Sequence, residues 1–344
     1  MPELPEVETV RRGLARLIVG KKVSGVQVFD SPKSFPNDRA VVEQFLYGAE
    51  ITDVRRRAKV LLIDLSTGYT LVIHLKMTGQ LVFIADTPLP SSKILSEFSR
   101  RSLGAGPVSK SAPISEKPEI SSEMGAAPLA ATRLRSDSEL RFGAGHPNDS
   151  LIGELPDKST RVSIAFTDSS HLYFNDQRKF GWIKLFPTVE VPNISFMQKV
   201  GPEPLEPEFT DELFFARLQR HRNTTIKAAI LDQTVLAGVG NIYADESLWG
   251  AQIHPSTRVS ILPRSKIKAL RSEIVSVMNL SIEKGGSTDR NYVNAESKKG
   301  SYIDFARVFR REGQPCPRHP DVLVEKTKVA GRGTHICPVC QVVQ

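Results

Sequence analysis

The 344-residue chain carries 46 Lys and Arg against 38 Asp and Glu, a formal charge of +8 that favours a polyanionic partner. At 40% hydrophobic and 24% charged it can bury a substantial core, so wholesale disorder is excluded, and its length implies more than one domain. No run approaches 18 apolar residues and MPELPEVETV lacks the basic and apolar regions of a secretory signal, so a soluble, cytoplasmic protein with no membrane partner is expected.

Val7, Val10, Leu14 and Leu17 form a helical stripe that Gly20 ends. From Val23 the pattern shortens to alternation. Lys59 to Leu65, the turn Ser66-Thr-Gly-Tyr and Thr70 to Leu75 predict a β-hairpin, and Gln80 to Ile84 a further strand. Between Asp86 and Ser150, 25 of 65 residues are Ser, Pro or Gly, and only Phe98 and Phe142 are aromatic. Such a segment cannot supply a core and is expected to be a disordered insertion. Strands resume at Arg161 to Phe166 and at His171 to Phe174, so the sheet should close around the insertion.

A domain boundary is expected near residue 200, after which the grammar is helical. Thr210 should cap a helix over 211–220, Asn223 or Thr224 one that runs to Leu231, and the Gly238-Val-Gly240 turn should open one at Asn241. A longer helix from Ser265 carries Ile267, Leu270, Ile274, Val277 and Leu280. The last 40 residues return to short strands around Cys316, Cys337 and Cys340. An odd, C-terminal cysteine cluster with a C-x-x-C pair is no disulfide framework and points to a metal.

The N-terminus carries chemistry of its own. Removal of Met1 before a small residue would leave the secondary amine of Pro2 beside Glu3 and Glu6. An α-amino group titrates near 8, roughly 2.5 units below lysine, so a usable fraction is free to form an iminium, and an adjacent carboxyl can protonate a leaving oxygen. Alone, Pro2 and Pro5 would more simply shape a helix entry.

The start Met1-Pro-Glu-Leu-Pro-Glu-Val-Glu-Thr-Val does not stand alone. Further along come Arg56-Arg-Ala-Lys59, His74-Leu-Lys-Met77-Thr-Gly, Asn175-Asp-Gln-Arg178-Lys-Phe180-Gly and Ala237-Gly-Val-Gly-Asn241-Ile-Tyr-Ala-Asp-Glu. These blocks, in this order, resemble the formamidopyrimidine-DNA glycosylases, bifunctional base-excision repair enzymes, over everything but the insertion. Leu4 favours that branch over the endonuclease VIII type, which typically begins Pro-Glu-Gly-Pro-Glu.

The resemblance implies an α+β fold: an N-terminal β-sandwich with flanking helices over 1–200, interrupted at about 86–150, a helix-two-turn-helix domain over 201–304, and a zinc β-hairpin over 305–344. It implies a monomer that acts on double-stranded DNA containing oxidised bases, without an organic cofactor. Pro2 would attack the deoxyribose C1′, Glu3 would protonate the sugar ring oxygen, Lys59 would work beside them in elimination, and Arg332 would serve the second elimination. Because a base inside a duplex cannot meet a terminal amine, it must be extruded and the gap filled. Met77, Arg178 and Phe180 would be the plug. His74, Arg222, Lys227 and Asn241 would contact backbone phosphates. The zinc ligands would be Cys316, His319, Cys337 and Cys340. Related enzymes usually have Cys at the second of these positions and sixteen residues, against seventeen here, between the pairs, which leaves His335 as a rival ligand.

Two further departures matter. Lys158-Ser-Thr-Arg161-Val replaces the usual Lys-His-x-His-Val, with Arg161 as a candidate substitute for phosphate attraction. Asn294 to Tyr302 resembles a loop that closes over the extruded base. The rivals are a non-catalytic damaged-DNA-binding protein on this scaffold and a glycosylase of oxidised pyrimidines.

Overall fold

In the computed structural model, residues 1–85, 140–145, 153–287 and 302–343 are described. The expected helix is α1, Leu4–Ile18. Val7, Val10, Leu14 and Ile18 face the N-terminal core, whereas Leu4 joins the core of the second domain. One helix therefore ties the two halves together at the residue next to Glu3.

The N-terminal half is two antiparallel sheets enclosing that core. One sheet orders β2 (Ile51–Arg57), β3 (Val60–Leu65), β4 (Tyr69–His74) and β9 (Trp182–Pro187). The other orders β1 (Val23–Val28), β7 (Thr160–Phe166), β8 (His171–Asp176), β5 (Gly79–Ala85) and β6 (Leu140–Gly145). The predicted β3–β4 hairpin pairs Val60 with His74 through Asp64 with Thr70.

Strand β6 corrects one expectation. The segment 86–150 was expected to be disordered throughout, yet its residues 140–145 pair antiparallel with β5, and Phe142, opposite Phe83, is 5% exposed in the core. One aromatic suffices because β5 supplies the hydrogen-bonding edge. The remainder of 86–150 lies outside the described residues.

The helical half comprises α4 (Asp211–Gln219), α5 (Ile226–Leu231), α6 (Asn241–Gly250) and α7 (Arg264–Glu283), preceded by the short α2 (Arg39–Phe45) and α3 (Ser195–Lys199) of the first half. Thr210 caps α4 as expected, its hydroxyl accepting from Leu213 N. The cap of α5 is neither Asn223 nor Thr224. Thr225 takes that place, accepting from Ala228 N, because Thr224 Oγ1 is turned back onto His221 O.

The C-terminal strands β10 (Pro315–Cys316) and β11 (His319–Leu323) pair, as do β12 (Glu325–Val329) and β13 (Arg332–Ile336). The latter turn through Ala330 and Gly331, both at positive φ, a two-residue hairpin geometry in which glycine carries no steric penalty. Arg318 anchors this unit to α6: its guanidinium lies 4.0 Å from the Trp249 ring centroid and donates to Trp249 O at 2.8 Å. Among the described residues no helix is long and apolar enough to cross a membrane.

Candidate active site and nucleic-acid interface

A cavity of about 420 Å³ opens where the halves meet, lined by Met1, Pro2, Glu3, Lys59, Asn241 and Arg332, with Glu6 and Ser287 behind. The structure retains Met1 ahead of Pro2. Each half contributes one side of this space, and α1 delivers the chain terminus to it.

Glu3 is buried at the start of α1. Its Oε1 accepts from Ile242 N at 3.1 Å, while Oε2 has no hydrogen-bond partner among the described residues. Burial pushes its carboxyl up to about 7, with Glu6 pushing the same way, and Lys59 only partly offsets the shift. The space for this carboxyl exists because residue 240 is glycine: a Cβ there would lie 2.2 Å from Glu3 Cδ. Glu6 differs. Its carboxylate accepts from Glu3 N at 2.8 Å, Ser287 N at 2.9 Å, Ser287 Oγ at 3.0 Å and the Tyr243 hydroxyl.

Lys59 follows Ala58, whose φ of 52° makes the tight β2–β3 turn. Glu203 holds that turn from the other half, accepting from Ala58 N at 2.5 Å, Arg56 at 2.7 Å and Arg57 at 2.8 Å. The Lys59 ammonium is buried and donates to Val239 O at 2.9 Å. Burial lowers its pKa, Glu3 and Glu6 oppose that shift, and Arg332 adds to it. Gln233 organises the same loop, donating to Val239 O at 2.8 Å and accepting from Gly238 N at 2.9 Å.

Above the cavity the β4–β5 and β8–β9 loops present Met77 and Phe180, 46% and 53% exposed. Arg178 bridges them, with its Nη1 3.4 Å from Met77 Sδ and its guanidinium 4.9 Å from the Phe180 ring centroid. Asp176, fully buried, fixes both loops: its carboxylate accepts from Gly181 N at 2.6 Å, Arg178 N at 3.2 Å and the Thr78 hydroxyl. The three residues expected to act as a plug are thus brought together.

His74 ends β4, and its Nδ1 accepts from Lys76 N at 3.1 Å. Burial, then Lys76 and Lys59, lower its pKa to about 3, so the ring is neutral at neutral pH and any phosphate contact comes from Nε2–H, not from a cation. Asn241 opens α6 with its Nδ2 donating to Gly333 O at 2.9 Å and its buried Oδ1 without a partner among the described residues. Arg222 is exposed on the turn before α5.

Two basic residues are corrected. Lys227, expected at phosphates, is 0% exposed: its ammonium donates to Asp245 Oδ1 at 2.5 Å, Thr334 Oγ1 at 2.7 Å and Gly333 O at 3.2 Å, which occupies all three of its protons. Arg161 is likewise internal, donating to Asp176 O at 2.8 Å and Asp30 Oδ1 at 2.5 Å. Residues 294–301 of the expected closing loop lie outside the described residues.

Cys316, His319, Cys337 and Cys340 place one donor atom each within 4.8 Å of one another and could hold a metal ion. The Cys316 and Cys340 sulfurs are 3.7 Å apart, and His319 Nδ1 is 3.2 Å from Cys340 Sγ and 3.8 Å from Cys337 Sγ. A tetrahedron with 2.3 Å metal–sulfur bonds has edges of about 3.8 Å, so the donor set fits zinc. His335 is not in the cluster. Its N and Nδ1 both lie on Asp245 Oδ2, at 3.0 and 3.2 Å, because it stands on β13 facing α6.

The missed residues are acids: Asp176, Glu203, Asp245 and Glu246. Glu246 is fully buried and accepts from Arg307 N, Val308 N and Phe309 N at 2.8 to 2.9 Å. Asp245 and Glu246 sit in the quoted Ala-Asp-Glu block, where a run of acids inside an apolar helix was the available signal.

A chain terminus, a carboxyl held near neutrality and a buried lysine sharing one cavity can support amine-based covalent catalysis, and the exposed wedge above it suits a stacked polymer; the molecule is of the DNA glycosylase class. Comparisons agree. Residues 1–107 match the formamidopyrimidine-DNA glycosylase N-terminal domain and residues 200–292 the H2TH domain of the same enzymes. A formamidopyrimidine-DNA glycosylase of Bacillus cereus is 33% identical over 343 residues, 99% of each chain. The Lactococcus lactis protein in complex with DNA containing an abasic site is similar at a TM-score of 0.72 and 30% identity over 99% of both chains, and a mutant of it with Fapy-dG DNA at 0.73 and 29% over 99% and 100%. The chain belongs to the formamidopyrimidine-DNA glycosylase family.

Proposed function

We propose that the protein excises oxidised purines, 8-oxoguanine and formamidopyrimidines, from duplex DNA and then cleaves the strand at the abasic site. The observation that carries this reading is Glu3: a carboxyl held near 7, one oxygen without a partner among the described residues, beside Lys59 and beneath the N-terminus. Binding alone would not need a protonated acid there.

After Met1 is removed, the Pro2 amine forms a bond to C1′ as the C1′–base bond breaks, and the proton the amine gives up leaves with the departing base. Glu3 delivers its proton to the ring oxygen as the C1′–O4′ bond opens, giving an iminium. Lys59, held on Val239 O, serves the elimination that follows. Arg332 reaches the cavity from β13 for the second elimination. Met77, Arg178 and Phe180 fill the gap left by the extruded nucleotide, while His74, Asn241 and Arg222 take phosphates.

Zinc held by Cys316, His319, Cys337 and Cys340 would supply no reaction step; its charge offsets the thiolates and its binding energy folds the hairpin that carries Arg332. The protein acts as a cytoplasmic monomer on DNA and uses no organic cofactor. The reading is supported by the L. lactis complexes with abasic-site and Fapy-dG DNA. Duplexes with 8-oxoguanine, a formamidopyrimidine or an oxidised pyrimidine test it: faster excision of the purine lesions is expected. A pyrimidine preference, or binding with no excision, would establish one of the rivals instead.

A further inference from the structure

Arg332 enters the cavity from a two-residue hairpin turn, a place where the chain has little packing of its own. Its side chain is exposed, yet the three residues that follow it are held with unusual completeness. Gly333 O accepts from Asn241 Nδ2 at 2.9 Å and from the Lys227 ammonium at 3.2 Å. Thr334 Oγ1 meets the same ammonium at 2.7 Å. His335 places both N and Nδ1 on Asp245 Oδ2. The His335 ring packs edge-on against Phe309, which lines the cavity, at 5.2 Å between centroids.

One residue gathers these bonds. Asn241 and Asp245 are one turn apart on α6 and so share a face, and β13 lies along that face. Asp245 takes Lys227 on Oδ1 and His335 on Oδ2, so a single buried carboxylate, 0% exposed, fixes both the cross-domain ammonium and the strand. No other buried acid of the molecule spans a helix of one unit, α5, and a strand of another, β13, in this way among the described residues.

We propose that Asp245 is a positioning residue for the second elimination: by pinning Gly333 to His335 to α6, directly and through Lys227, it sets where Arg332 stands over the reacting sugar. In that step the C4′ proton passes to solvent water, the C4′–H electron pair forms a C4′–C5′ double bond, and the C5′–O bond breaks with phosphate as the leaving group. A guanidinium displaced by about an ångström would weaken its contact with the departing phosphate. The first steps use Pro2, Glu3 and Lys59, which Asp245 does not touch. This inference rests on the role proposed for Arg332, and its signature is a change in product ratio that a general loss of stability would not produce.

The test compares full-length wild type, Asp245→Asn, Thr334→Val and Arg332→Ala on duplex DNA with a preformed abasic site, resolving the single- and double-elimination products. Asp245→Asn removes the charge facing buried Lys227 and can unfold the hairpin, so zinc content is measured for each protein, and Thr334→Val supplies a milder cut in the same network. The expected result is at least a fivefold rise in the single- over double-elimination product for Asp245→Asn, a smaller rise for Thr334→Val, and borohydride trapping within about twofold of wild type with zinc retained. If Arg332→Ala shifts the ratio while zinc-loaded Asp245→Asn and Thr334→Val do not, the positioning role is refuted. If Arg332→Ala itself leaves the ratio unchanged, the role of Arg332 fails instead. Should Asp245→Asn lose its zinc, Thr334→Val decides alone: an unchanged ratio overturns the proposal.

Discussion

The floor of the cavity and the loops above it depart from ordinary protein burial in opposite senses. On the floor, Glu3 and Lys59 are charged types taken out of water, Glu3 with one oxygen unpartnered among the described residues and Lys59 held on a neutral carbonyl, Val239 O. At the rim, Met77 and Phe180 are large apolar side chains left in water around Arg178. Both arrangements lower stability relative to a conventional choice, and each is held by a fully bonded acid nearby: Glu6 beneath Glu3, Asp176 beneath the loops. Function in this molecule sits at the two unsatisfied layers, and stability in the satisfied ones behind them.

Glu3→Gln cuts deepest into the floor. Excision should fall by roughly 10²–10⁴-fold, the loss expected of a general acid. Wild-type activity should decline as pH rises through about 7, where Glu3 gives up its proton, and the variant should lose that limb in a pH–rate profile. Stability should fall with rising pH as well. A carboxyl whose folded pKa lies above its unfolded value binds its proton more tightly when folded, so its contribution is lost as pH rises from about 4.5 to about 7. At pH 8 the Gln variant should therefore be more stable by about 1–3 kcal/mol in urea unfolding, whereas lower stability at pH 8 would contradict the account of the floor.

Gly240→Ala places a Cβ into the Glu3 carboxyl and should cost about 1–3 kcal/mol together with most of the activity. The same substitution at Gly331, with no atoms within 4 Å of the added Cβ but φ at +73°, should cost less and leave excision intact. Equal effects would show that the floor is not tightly packed.

Much of this was legible in the sequence, and the boundary is physical. Helix α1, the β3–β4 hairpin and the α6 start follow from local periodicity and caps, and the Cys/His cluster from close cysteine spacing. What failed was non-local. Leu140–Gly145 reads as loop because Gly143 and Gly145 lack side chains that mark a strand, and only the β5 edge makes it one. Lys227 reads as a surface cation because its partner Asp245 is 18 residues away and its other contacts lie beyond residue 330. The resemblance supplied the catalytic and plug residues; residue chemistry alone offered Pro2 and Glu3 as one reading among two.

With zinc on Cys316, His319, Cys337 and Cys340 as proposed, chelation should disorder the hairpin and weaken DNA binding while the thermal transition of the N-terminal half persists, as followed by elemental analysis and circular dichroism. At the rim, Phe180→Ala and Met77→Ala should leave stability within about 0.5 kcal/mol, since both are exposed, yet slow excision from duplex more than elimination at a preformed abasic site. Equal losses on the two substrates would mean the loops are not a wedge. Arg222→Ala should have the smallest effect, lowering the slope of log affinity against log salt by about 1.

Trapping tests most directly whether the chain terminus is the nucleophile. Borohydride added during reaction with an 8-oxoguanine duplex should leave a covalent adduct that peptide mass spectrometry places on Pro2, and a blocked N-terminus should abolish it. An adduct on Lys59, or full turnover by protein with Met1 retained, would contradict the account.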